Sequence, residues 1–375
     1  MTNDQKPDRE SIHFLAVGDI SLGDHPVCFG HGIRSTIEKH GFPFLFKDVA
    51  STLSRSDILF GNLETVLPQE NGGKRLHDIE MKGKSEYAAE LSKIGFNVMS
   101  VANNHAMQHG QKAFDETITA LKNNNIEPIG INDTGKSNCF SFEKNTVNLS
   151  IIGYSFRPEK YSKNNISYAL GEENLLIEHI RQLKQNKSNV IVSIHWGEEY
   201  IHYPSADQVY FSKKIIDAGA CLILGHHPHV LQGIEKYNGG VIVYSMGNFI
   251  FDMWQKQTRE TMIFDCHIGE NGIKRYSYVP IYVNKNYQPI ILTGKDADKL
   301  CSKTERYTNA IYPMNSLLDT TKSMQAYKKT AAKAYLKYRI ASYLYFIRNI
   351  YKYKFSVLID SLIRFLKRRV NPEHT

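Results

Sequence analysis

The stretch Leu222-Ile-Leu-Gly-His-His-Pro-His-Val230 decides how the rest of the chain is read. An apolar run leads straight into three histidines, His226, His227 and His229, within four residues. A short apolar run closed by polar residues reads as a fully buried strand. Imidazoles two apart at a strand end can aim two ring nitrogens into one pocket, a donor set that suits Zn, Mn or Fe. That spacing favours His227 with His229 as the pair.

The same pattern, a buried strand ending on ligand-type residues, recurs upstream. Phe14-Leu-Ala-Val-Gly-Asp19 ends on a carboxylate, and Ile58-Leu-Phe-Gly-Asn-Leu-Glu64 ends on Asn62 and Glu64. Val98-Met-Ser-Val-Ala-Asn-Asn-His105 ends on Asn103, Asn104 and His105. Val190-Ile-Val-Ser-Ile-His195 ends on an imidazole, followed by Trp196-Gly-Glu-Glu-Tyr200. Taken singly, an Asp or His at a strand end is a cap or a hydrogen-bonded core residue, and Asn62 and Asn103 need do no more than turn the chain. Five such ends in one chain point instead to a shared site where strand carboxyl ends converge, the place where open α/β sheets bind ligands. Asp, Glu, Asn and His donors without cysteine imply a divalent ion, with Mn, Fe, Zn and Mg all open.

These blocks resemble the CapA family, named for a protein of poly-γ-glutamate capsule synthesis, within the calcineurin-like metallophosphatase superfamily. The matching residues are Gly18-Asp19 with Leu22-Gly23, Gly61-Asn-Leu-Glu64, Ala102-Asn-Asn-His105, His195-Trp-Gly-Glu-Glu-Tyr200, Gly225-His-His-Pro-His-Val230 and Tyr244-Ser-Met-Gly-Asn-Phe-Ile-Phe-Asp252. The resemblance runs over about residues 12 to 285. It implies an α/β/β/α sandwich of two mixed sheets and two divalent ions. By the same resemblance Asp19 and His229 would serve the first metal, Glu64 would bridge, and Asn104, His195 and His227 would serve the second. His105 would act on the leaving oxygen or steady the phosphoryl group. Ser21, Asn62, Asn103, Glu198, His226 and Asn248 stand nearby as substrate-binding candidates.

Two departures bear on activity. The superfamily places a histidine two residues after the first aspartate, where this chain has Ser21, and the bridging position carries Glu64 rather than Asp. Two functions therefore compete. One is a metal-dependent phosphoesterase-like protein of capsule or exopolysaccharide synthesis, acting on an anionic polymer or a phosphorylated substrate. The other is a non-catalytic assembly factor that binds polymer or a lipid-linked sugar in the same pocket.

Bulk properties limit the alternatives. At 375 residues and 42% hydrophobic the chain can bury a large core. The ligand blocks span Asp19 to Asp252, so they read as one α/β domain, residues 12–285, after a polar segment, residues 1–11. Helices are expected over Ser85 to Gly95 and Ser205 to Gly219, with each glycine near the C-cap. Residues 286–326, rich in Asp, Lys, Thr and Ser, read as an irregular connector. The five cysteines, Cys28, Cys139, Cys221, Cys266 and Cys301, form no Cys-x-x-Cys pair and read as reduced thiols. The amino end has no signal-peptide hydrophobic region and no apolar run is long enough to span a bilayer, so a cytoplasmic location is expected, peripheral to the inner membrane face.

The net charge of +8 sits in the tail, residues 327–375. Between Tyr327 and Val370 there are 12 Lys and Arg against one acid, Asp360, together with ten aromatics. Ala332, Leu336, Ile340, Tyr343, Ile347 and Ile350 recur at helical spacing. Basic and aromatic residues on one helix suit an anionic membrane surface; packing against the domain with solvated lysines is the simpler account. No nucleic-acid module accompanies the charge, so nucleic acid is not an expected partner.

Overall fold

Parallel strands buried on both faces need a cover on each, and here a second sheet covers one face and helices the other. A computed structural model describes residues 10–69, 76–162, 165–311 and 320–370. The expectations for residues 1–9, 312–319 and 371–375 lie outside the described residues. Two sheets stack face to face. The first contains β1 (Ile12–Ile20), β2 (Ile58–Leu63), β3 (Val98–Ser100) and β4 (Glu127–Ile129). The second contains β5 (Cys139–Lys144), β6 (Val147–Ser155), β7 (Asn189–His195), β8 (Ala220–His226), β9 (Ile234–Tyr237) and β10 (Gly240–Val243). The chain then returns to the first sheet with β11 (Asn248–Ile250), β12 (Glu260–Gly269), β13 (Gly272–Val283) and β14 (Pro289–Ile291).

The first sheet runs β14-β13-β12-β1-β2-β3-β4, with β11 also pairing β1; the second runs β9-β10-β8-β7-β6-β5. The β1–β4 strands are mutually parallel, as are β6, β7, β8 and β10, while the hairpin strands at the edges run antiparallel. Side-chain alternation then sorts the core. Phe14, Ala16, Phe60 and Val98 of the first sheet meet Leu149, Ile151, Leu222 and Leu224 of the second in one apolar layer. The outer face of the first sheet is covered by helices carrying Ile37, Leu91 and Phe114. That of the second is covered by helices carrying Ile180 and Ile215. This is the expected α/β/β/α sandwich of mixed sheets.

Local signals hold to within a residue or two. The helix Tyr87–Ile94 ends on Gly95 in the left-handed region (φ 113°). Ala206–Asp217 starts from a capping box of Ser205 and Gln208, and Gly219 (φ 118°) follows its C-cap by one residue. Within the segment 286–326, the described residues are not an irregular connector. They carry β14 and the helix Gly294–Asn309, which seals the second sheet's edge as Thr308 Oγ1 accepts from the Ile234 backbone N–H at 2.9 Å. The tail is helical, Thr320–Arg348 and Phe355–Val370. No described helix is long and apolar enough to cross a membrane. All five cysteines are free, and Cys28, Cys221 and Cys266 are buried.

Two close crossings bring the strand ends together. A Cβ on Gly18 would lie 2.0 Å from the Gly247 carbonyl oxygen, and one on Gly225 would lie 2.0 Å from that of Tyr244. Backbone stands against both, so neither clash can be relieved by a rotamer change. Gly18→Ala and Gly225→Ala are each expected to cost about 1–3 kcal/mol of unfolding free energy or more, the range for overpacking. Urea denaturation checks this; a midpoint unchanged in either variant contradicts the reading.

Candidate metal centre

The site lies along the edge where the carboxyl ends of both sheets meet. Strand β1 switches partners there: it pairs β12 up to Val17, and from Asp19 it pairs β11. Asp19 stands opposite Asn62 on one side and Asn248 on the other. Its carboxylate is fully buried. Oδ1 accepts from Asn62 Nδ2 and from His226 Nδ1, both at 2.9 Å, and Oδ2 accepts from the His227 backbone N–H at 3.2 Å. Burial alone would raise this acid. The His226 hydrogen bond and charge, with His229 and His195 behind it, outweigh burial and hold it at about 2.

Glu64 follows β2 directly and is anchored through its backbone N–H to Ile20 O at 2.8 Å. Its two oxygens are buried and accept no hydrogen bond. Oε1 lies 3.7 Å from His195 Nε2, 3.7 Å from His229 Nε2 and 3.8 Å from His105 Nε2. Burial, then the charges of Asp19 and Glu199, push its pKa well up.

The imidazoles are delivered by unusual backbone. His227 and His229 both have positive φ, 96° and 57°, on either side of Pro228. Non-glycine residues there are strained, and such strain concentrates at functional sites. Tyr200, also at positive φ (66°), braces this turn by donating its N–H to Pro228 O at 2.9 Å. Burial lowers the pKa of both His195 and His227 well below normal, which keeps them in the neutral form that ligates metals. Three ligand groups result: Glu64, His195 and His227; Asp19, Glu64 and His229; and Glu199, His227 and His229, with the ligand atoms of each within 4.8 Å of one another. Glu64 belongs to two of them.

These residues fit a divalent cation. Both Glu64 oxygens, both His227 ring nitrogens, His195 Nδ1 and His226 Nε2 are buried without a hydrogen-bond partner. Orphans of this kind are rare and cost about 1–3 kcal/mol each. A cation among oxygen and imidazole donors removes that cost and matches their chemistry.

The other expected residues surround this set. Asn104 Oδ1 lies 2.6 Å from His195 Nε2. Asn103 shapes the turn, donating to Leu63 O at 2.8 Å and accepting the His105 N–H at 3.1 Å. His105 has Nδ1 at 2.7 Å from Gln108 Oε1, which leaves Nε2 toward Glu64; burial lowers its pKa. Asn248 Oδ1 accepts from His229 Nδ1 at 2.8 Å and so turns His229 Nε2 toward Glu64. Ser21 offers the pocket no ligand: its hydroxyl donates to Met81 Sδ at 3.7 Å. Glu198 turns outward to Arg157 at 3.1 Å, its side chain 43% exposed.

Two neighbours escaped the sequence reading. Glu199, not Glu198, joins His227 and His229, because Gly197 (φ 80°) breaks the alternation after β7 and parity no longer tells which glutamate turns inward. His25 also belongs here: burial, then the charges of His105 and His229, lower it to about 3. Its signal was the adjacent pair Asp24-His25, just after the first block. The rim is bordered on one side by the tail helix, whose Tyr338 ring stacks on Tyr200 with centroids 4.1 Å apart; Tyr200 lies 6.5 Å from His229.

The raised Glu64 sets a pH signature for metal-free protein. A carboxyl whose folded pKa exceeds its unfolded value stabilises the fold below the unfolded pKa, near 4.5, and that stability is lost as pH rises through the folded value. Metal-free Glu64→Gln should therefore melt higher than metal-free wild type at neutral pH. Added Mn²⁺ or Zn²⁺ should raise the melting temperature of wild type, by about 2.7 kcal/mol of stability at a hundredfold excess over Kd, and leave Glu64→Gln unmoved. Calorimetry with and without a chelator reads both effects, and a metal response in Glu64→Gln equal to wild type contradicts the assignment.

Comparison with known proteins places the chain in a family. The family described as "Bacterial capsule synthesis protein PGA_cap" matches residues 13–253. The "Capsule biosynthesis protein CapA" of Bacillus anthracis is 28% identical, over 80% of this chain and 75% of that protein. The "PGA biosynthesis protein CapA" of Bacillus subtilis is 32% identical, over 72% of this chain and 71% of its own. Among solved structures, a 5'-nucleotidase from Candida albicans covers 88% of this chain and 58% of its own at 10% identity, with a TM-score of 0.40. That likeness is too loose to add to the topology above. The family match takes in every residue of the three ligand groups, and the chain belongs to the bacterial capsule synthesis protein family PGA_cap.

Proposed function

We propose that the protein acts in capsule polymer synthesis as a metal-dependent phosphoester hydrolase. The observation that carries the chemistry is the set of buried, unpartnered Glu64, His195 and His227 atoms beside an ionised Asp19. The capsule role is supported by relatives named for capsule and PGA biosynthesis. Asp19, Glu64, Asn104, His195, His227 and His229 would hold two divalent ions, and Glu199 stands with His227 and His229 as a further candidate ligand. When bound, such ions supply Lewis acidity toward a phosphoryl oxygen.

The chain's own residues supply the rest. Asn248 fixes the orientation of His229. Tyr200, Tyr338 and Trp254 form an apolar wall that limits water at the pocket rim. Arg157 brings positive charge beside His227, suited to an anionic substrate. His105 holds its Nδ1–H on Gln108 and presents a free Nε2 lone pair. An anionic phosphoryl group beside it offsets the burial that lowers its pKa, so Nε2 takes up a proton as substrate binds and passes it to the leaving oxygen.

One observation favours a second reading, a non-catalytic factor that binds polymer or a lipid-linked sugar: Ser21 gives the first metal no ligand. The two readings part at His105. As a general acid, His105→Ala should retain metal by elemental analysis while losing turnover of an aryl phosphoester by about 10²-fold or more. His227→Ala should lose metal and turnover together. Equal turnover in wild type and His105→Ala sinks the hydrolase reading. If His105→Ala, but not His227→Ala, also restores polymer to a deletion strain, the binding reading replaces it.

A further inference from the structure

The tail helix Thr320–Arg348 has two faces with different tasks. Tyr327, Tyr338 and Asn349 are buried against the domain. Tyr338 stacks on Tyr200, and Tyr345 stacks on Trp254 at 4.4 Å. At about 100° per residue, Leu336, Ile340 and Ile347 lie about half a turn from Tyr338. They are exposed, with Leu344 at 63% and Ile347 at 64%. Beyond the helix, Tyr351 is 79% and Phe355 77% exposed. Lys333, Lys337, Arg339, Arg348, Lys352 and Lys354 flank this apolar stripe, all exposed. This region lies beyond the family match, which ends at residue 253.

We propose that this stripe docks on an anionic lipid surface, with the helix lying flat in the headgroup region. The shape fits an interfacial helix: apolar side chains on one line, cations beside them, and an opposite face committed to the domain. It is not a span, since no described helix is apolar and long enough to cross a membrane. A second copy is disfavoured by charge, because a two-fold contact of the stripe with itself would set Lys333, Lys337 and Arg348 against their own kind. Anionic headgroups complement the same cations. The consequence for the site is geometric. Tyr338 forms the pocket rim from the inner face of the helix that touches lipid, so one helix diameter, about 10 Å, separates rim from headgroups. The inference does not depend on the hydrolase reading.

Vesicle co-sedimentation of the full chain tests it. Wild type should pellet with vesicles of phosphatidylcholine and phosphatidylglycerol in equal parts, weaken as salt rises, and stay in solution with phosphatidylcholine alone. The triple variant Leu336→Ser, Leu344→Ser, Ile347→Ser should bind the mixed vesicles about tenfold or more weakly, because three exposed aliphatic side chains that would enter the lipid are lost. Lys333→Glu with Lys337→Glu should bind them more weakly as well. Both variants should melt like wild type, since every altered side chain is exposed and Tyr338 is intact. Undiminished binding by the triple variant overturns the proposal. So does a wild type that ignores vesicles yet dimerises through the stripe, with the triple variant monomeric.

Discussion

One buried carboxylate, Asp19, ties the two sheets together. An ion removed from water is tolerated only where donors replace the solvent. Asp19 finds one donor, Asn62, in its own sheet and two, His226 and the His227 backbone, in the other. The sheets therefore stack in a position that brings the end of β8 to the end of β1. The crossings at Gly18 and Gly225 allow that approach, and the strained turn around Pro228 is held in place by it.

Asp19 and Glu64 divide the electrostatics of the pocket between them. Asp19 is satisfied by protein donors and stays ionised. Glu64 is surrounded by imidazole nitrogens that cannot all satisfy it in their neutral form, so its oxygens remain without partners. The first arrangement assembles the pocket without help from an ion. The second leaves buried oxygens whose cost a proton or a cation can offset. Preorganisation and affinity thus rest on different acids, and a substitution at one need not mimic the other.

Much of this was legible in the sequence because buried parallel strands concentrate their polar residues at their ends. Asp19, Glu64, His195, His227 and His229 stood out for that reason, and the structure gathers them at one edge. What was not legible depends on turns. Beyond β7 the left-handed Gly197 resets side-chain direction, so Glu199 rather than Glu198 faces the imidazoles. The helix Gly294–Asn309 was hidden because it buries only Leu300 and Thr304; a helix with so thin an apolar stripe has the composition of a loop. In the tail, membrane surface and domain packing looked like alternatives, but a long helix has a face for each.

The tail also fixes an order of events during synthesis. Every residue of the three ligand groups lies before Asp252, while the rim waits for Tyr338 and Tyr345. At translation rates of roughly 5–20 residues per second, the nascent chain spends roughly 5–20 s with its ligands made and their aromatic cover not yet synthesised. Only the later helix adds the Tyr338 ring that stacks on Tyr200 beside His229.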